Sequence, residues 1–222
     1  MKAVELYYQL SKDFIIDGVS DTWAVFMGDI EEYLTESFKK TSMGLVCDFT
    51  EDINRAYTAV FPTEAVMQKI LTENITDALL FLHHPSIWDI RGKKSFYQMN
   101  KELLKEFKKR RIAIYILHVH LDNYGEYSTS KTLAAALNIV VEKPFKSYCG
   151  ALSGVIGITK CKTIEKLNKD FSHAMGHNTK LYSYGDESII DGRVAIVAGG
   201  GNSRDTVKEI LEEGINVFIT GV

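Results

Sequence analysis

Leu79-Leu80-Phe81-Leu82-His83-His84-Pro85 is an apolar run of strand length that delivers two adjacent histidines and then a proline. It reads as a buried strand ending at a metal site. Ile112-Ala113-Ile114-Tyr115-Ile116-Leu117-His118-Val119-His120-Leu121-Asp122 repeats the design and ends in two more histidines and an aspartate. In open α/β sheets ligands gather at the carboxyl ends of strands, so neighbouring strands of this kind aim their polar ends into one crevice.

Between the two runs, Phe96, Met99, Leu103, Leu104 and Phe107 recur at three-and-four spacing. An amphipathic helix over Ser95 to Arg111 is expected there, and strand, helix and strand make a crossover with a parallel pair. Further out, helices are expected over Ala3 to Asp13, Asp29 to Lys40, Ile53 to Phe61, Glu64 to Glu73, Ser128 to Leu137 and Arg204 to Glu213. Strands are expected at Gly44 to Phe49, Val194 to Ala198 and Asn216 to Thr220. This alternation predicts an α/β protein of two lobes, residues 1–140 carrying both histidine strands and residues 141–222 forming the second lobe with the last strands.

The 222 residues include 45% hydrophobic ones, enough for a packed core. A net charge of −3 argues against a general nucleic-acid binder, and Lys108-Lys109-Arg110-Arg111 reads as the solvated end of a helix. Cys47, Cys149 and Cys161 have no metal-type spacing and do not all pair, which points to a reduced, cytoplasmic setting. No stretch approaches the roughly 20 apolar residues that span a bilayer, and the start lacks a signal sequence.

If the second strand continues, His118, His120 and Asp122 alternate with Val119 and Leu121 and share one face. Imidazole and carboxylate suit zinc, iron, manganese or nickel, and a carboxylate such as Asp122 bridges two cations that polarise a shared water. The competing reading is core histidines and a capping aspartate. Gly199-Gly200-Gly201-Asn202-Ser203 is either a tight turn or an anion cradle. His173 and His177 lack the intervening Glu of a metalloprotease motif and read as surface residues. Asp48, beside Thr50, either borders the crevice or caps a helix.

Taken together, these motifs resemble the NIF-three-like family of dinuclear metal-binding proteins, the GTP cyclohydrolase I type 2 homologues. The matching pieces are Asp48 and Thr50, His83-His84-Pro85, His118 with Asp122, the turn Val197 to Ser203, and Thr220-Gly221. The resemblance implies two interlocked α/β lobes with a metal cleft between them, and a homohexamer. It also implies His83, His84 and Asp122 as ligands of two divalent metal ions, with His118 a ligand or neighbour. His120 lies outside the family pattern and is a candidate general acid or base. Family members continue beyond the Thr-Gly strand and supply a further His and Glu, so on this resemblance either the sequence is a truncated form or the protein lacks a complete set.

Three functions follow. The first is a metal-dependent hydrolase or cyclohydrolase attacking a phosphate ester or purine ring carbon, with a small-molecule substrate such as a nucleotide. The second takes His118-Val119-His120 as the His-x-His of an amidohydrolase barrel, for which too little chain follows. The third is a non-enzymatic metal-binding regulatory or interaction protein.

Overall fold

The computed structural model describes residues 1–88 and 96–221. The chain is mixed α/β and divides into two units, Met1–His120 and Leu121–Val222. The first carries strands β1 (Gly44–Cys47), β2 (Arg55–Ala59), β3 (Ala78–Leu82), the short β4 (Ile87–Trp88) and β5 (Phe96–Tyr97), and β6 (Ile112–Ile116). Its helices are α1 (Ala3–Phe14), α2 (Glu36–Thr41), α3 (Glu64–Thr72) and α4 (Lys101–Lys109).

The main sheet runs β1-β6-β3-β2, with the two histidine-bearing strands in the centre. Every residue of β6 is buried, as is most of β3, because both faces of a central strand are covered. Their parallel register runs from Ala78 opposite Ile112 to Leu82 opposite Ile116, which bears out the crossover. Asp77 and Arg111, each just before its strand, adopt φ of 58° and 56°. Their side chains form a two-pronged pair, with Arg111 Nη2 2.7 Å from Asp77 Oδ2. This pair ties the two strand starts together in step.

Three local expectations fail in this unit. Residues around Ile53 to Phe61 form no helix: Arg55 to Ala59 pair in parallel with β3 as a sheet edge, where Tyr57 and Thr58 suit a half-exposed strand. The helix expected over Asp29 to Lys40 is a 3₁₀ segment, Gly28–Tyr33, followed by α2. Thr35 breaks it by accepting the Phe38 N–H as an N-cap and donating its hydroxyl to the Leu45 carbonyl. The crossover helix is shorter than expected, starting at Lys101, because the Asn100 side chain caps the Glu102 and Leu103 N–H groups at 2.9 and 3.2 Å. Ser95, its expected start, lies outside the described residues.

The second unit begins in α5 (Val119–Asp122) and holds α6 (Thr129–Ala136), β7 (Val140–Tyr148), β8 (Ala151–Ile158), α7 (Ile164–Met175), β9 (Arg193–Gly200), α8 (Arg204–Glu212) and β10 (Phe218–Gly221). The sheet order is β10-β9-β8-β7. β7 and β8 form a hairpin around Cys149 and Gly150, whose φ of 48° and 83° are those of a primed two-residue turn. Ala134, Leu137, Val155, Leu167, Val194 and Ile196 are among its buried core. The units divide after His120 rather than at residue 140, since Ser130 of α6 donates to Ser153 of β8 and accepts from the Ala198 N–H of β9.

The glycine-rich turn is tied shut. Thr220 Oγ1 accepts the Gly201 N–H at 3.0 Å and donates to the Gly199 carbonyl at 2.8 Å. Its amide at Gly201 is therefore engaged in the turn itself. Among the described residues, Cys47, Cys149 and Cys161 are not joined by a disulfide. Among the described residues, no helix is long and apolar enough to cross a membrane.

Candidate metal centre

β3 and β6 end side by side, and the chain beyond them stays paired. The Leu117 N–H donates to Leu82, while His83 and His84 donate their N–H groups to Ala59 and Val60 past the end of β2. Extending the Leu82–Ile116 register by two residues sets His84 beside His118. The bend at His83, just before Pro85, lets a neighbouring side chain join them. Ring centroids are 4.6 Å apart for His83 and His84, 5.0 Å for His83 and His118, and 4.6 Å for His84 and His118. One nitrogen from each ring lies within 4.8 Å of the others, the spacing of a metal-ligand group.

Hydrogen bonds prepare two of the rings as donors of an electron pair. His83 Nδ1 is 2.9 Å from the Leu117 carbonyl, which only accepts, so Nδ1 carries the proton and Nε2 keeps its lone pair. His118 Nδ1 is 2.7 Å from Asp21 Oδ2, both residues buried, and the same logic puts the lone pair of the neutral ring on Nε2. His84 differs: its Nδ1 is buried without a hydrogen-bond partner. Its ring is held by stacking on Phe61 at 4.7 Å and 9°, with the Trp23 edge 6.0 Å away. Burial above all, helped by His118 and His83, lowers the His84 pKa to about 3. Three imidazoles, one with an orphaned nitrogen, fit a divalent cation; without one, the cluster leaves a buried polar atom uncompensated.

A family model described as Duf34/NIF3 (NGG1p interacting factor 3) matches residues 27–221. The chain belongs to this family. A relative described as a GTP cyclohydrolase 1 type 2 homolog, from Borreliella burgdorferi strain B31, is 26% identical over 199 residues, covering 87% of this chain and 73% of its own. The solved structure of protein ybgI, described as of unknown function, superposes with a TM-score of 0.71 at 21% identity, over 100% of this chain and 78% of that one. Reduced HcgD from Methanocaldococcus jannaschii gives 0.63 at 22% identity, over 100% and 79%. At these identities the two structures establish a shared fold.

Each of the remaining expected residues has its own local setting. β6 stops at Ile116 and the chain turns into α5, so His118, His120 and Asp122 do not share a strand face. His120 is buried; its Nδ1 accepts the Ile16 N–H at 3.2 Å, which puts the ring proton on Nε2, a buried atom without a hydrogen-bond partner. Burial lowers its pKa. Asp122 ends α5 and accepts the Thr129 hydroxyl at 2.7 Å. Asp48 is exposed and lines a hollow with Thr50, Asp77 and Arg111; the Thr50 hydroxyl caps the Asp52 carbonyl rather than a helix. His173 and His177 are exposed, the second beyond the Gly176 that ends α7. Asp21 was invisible to sequence reasoning: a lone carboxylate in Val19-Ser20-Asp21-Thr22 has no periodicity to mark it.

Proposed function

We propose that this chain is a metal-dependent hydrolase or cyclohydrolase acting on a nucleotide or phosphate ester. The observation that carries this reading is the convergence of His83, His84 and His118, two of them with Nδ1 already hydrogen-bonded. In the proposal these three histidines and Asp122 hold two divalent metal ions, drawn from zinc, iron, manganese and nickel. The bound metal supplies Lewis acidity to water and to a substrate oxygen.

The chain's own residues divide the remaining work. His83 and His118 present lone pairs in a tautomer set by Leu117 and Asp21. Burial lowers the His84 pKa to about 3, so near neutral pH no proton has to be displaced from it. Phe61 and Trp23 pack against His84 and shield that ring from water. His120 acts in this scheme as a positioning residue, holding Ile16. The name of the Borreliella burgdorferi relative suggests purine nucleotides as the first substrates to try. A homohexamer in a reducing cytoplasm completes the proposal.

Elemental analysis of protein purified without added metal, beside Asp122→Ala, tests the centre. About two equivalents, reduced in the variant, together with chelator-sensitive turnover of GTP or a phosphoester, are expected. Metal-independent turnover, or full activity in Asp122→Ala, would remove the hydrolase reading. Tight metal without turnover across those substrates would favour a regulatory metal-binding protein instead.

A further inference from the structure

The geometry points to Asp21 as the positioning residue that orients His118 and strengthens it as a ligand. This inference rests on the reading of His118 as a metal ligand. Its grounds are local. Asp21 Oδ2 lies 2.7 Å from His118 Nδ1, both side chains are more than nine-tenths buried, and their contact joins residues 97 positions apart.

The three imidazoles are supported in three different ways. His83 donates to a neutral carbonyl. His84 is held by the flat face of Phe61 and has no hydrogen bond at Nδ1. His118 is bonded to a carboxylate. A carboxylate behind an imidazole fixes the tautomer and orientation and raises the basicity of the opposite nitrogen, because negative charge stabilises the ring as it gives up electron density. A carbonyl dipole does this less, and a stacked phenyl ring fixes orientation alone.

Asp21 is itself held in place. Its N–H donates to the Thr41 carbonyl at 3.3 Å. A few residues earlier, the Ile16 N–H donates to His120 Nδ1 at 3.2 Å. The segment from Ile16 to Asp21 is thus fastened at both ends to His118-Val119-His120. His120, which falls outside the family motif, acquires a role here: it anchors the near end of the segment whose far end orients a ligand.

The test uses the full chain, free of metal and then titrated with zinc, in the unaltered protein, Asp21→Asn and Asp21→Ala. In metal-free protein, nitrogen NMR of the histidine rings is expected to show His118 as the Nδ1–H tautomer. In Asp21→Ala that preference is expected to vanish while His83, bonded to Leu117, keeps its own. Zinc affinity is expected to fall about 10–100-fold in both variants. Asp21→Asn, nearly isosteric and able to accept the same hydrogen bond, isolates the charge and guards against a folding defect. His118 found as the Nε2–H tautomer in the unaltered protein, or undiminished zinc affinity in Asp21→Asn, would overturn the inference. Absence of zinc binding by the unaltered protein would defeat the metal reading instead, and the tautomer of His118 would still decide whether Asp21 orients it.

Discussion

His84, half-buried, and His120, buried, share a physical state: each is held neutral, with its pKa below the ordinary value for imidazole. The sign of the resulting pH dependence follows. Below about pH 6.5 the unfolded chain takes up protons that the folded chain refuses. The stability these residues contribute is complete above that value and drains away as pH falls, for His84 until about pH 3. Urea midpoints of metal-free protein should therefore drop between pH 7 and pH 4, and replacing His84 by Gln should flatten that slope. A slope equally steep in His84→Gln would show that other groups govern it. His120→Ala should cost about 1–3 kcal/mol, since it opens a cavity at a buried side chain and leaves the Ile16 N–H without its acceptor. The histidine strand ends were legible because apolar runs with polar tips are rare and local. Asp21 was not, because its meaning lies in a partner far along the chain.

At the scale of elements, close approaches carry clear expectations. A Cβ placed on Gly157 would sit 2.6 Å from the Val140 carbonyl oxygen and 2.7 Å from Ile139 Cγ2. The first of these is backbone, so the β7–β8 pair has to spread. Gly157→Ala should destabilise by about 1–3 kcal/mol as an overpacked site, measured by chemical denaturation, whereas Gly185→Ala, with open space around it, should change little. Thr35→Ala removes both an N-cap and a tie to β1, and should cost about 1 kcal/mol. The crossover was legible in sequence because its helix has a strong apolar stripe and its strands are nearly uniform. β2 was misread as a helix because an edge strand with one buried neighbour carries little pattern of its own; pairing with β3 decides it. The turn into α5 was missed because a four-residue helix is too short for periodicity to register.

For the whole molecule, binding of a metal to the folded state alone raises apparent stability by mass action. At a free concentration 100 times the dissociation constant, the gain is about 2.7 kcal/mol. For a chain of 222 residues this corresponds to a rise of roughly 5–10 °C in melting temperature. Scanning calorimetry with zinc and then with excess chelator should show the shift and its reversal; coincident traces would mean that no metal binds the folded protein more tightly than the unfolded one. The mixed α/β class was legible because alternating patterns survive errors at individual elements. The place where the chain divides was not, because the packing of Ser130 against β8 and β9 leaves no mark in composition.

The bond between Asp21 and His118 also has a bearing on when the centre comes into being. Its two halves are made far apart in time during synthesis, separated by 97 positions, and the strand that delivers His118 is among the last parts of the first unit to be built. A nascent chain that already exposes His83 and His84 has no oriented third imidazole to offer. Contacts so distant in sequence form late, after the loops between them have closed. If the three histidines hold a metal, as proposed, their third member is oriented only once Asp21 and His118 have met, so the oriented set belongs to the folded first unit and not to the emerging segment that carries His83 and His84.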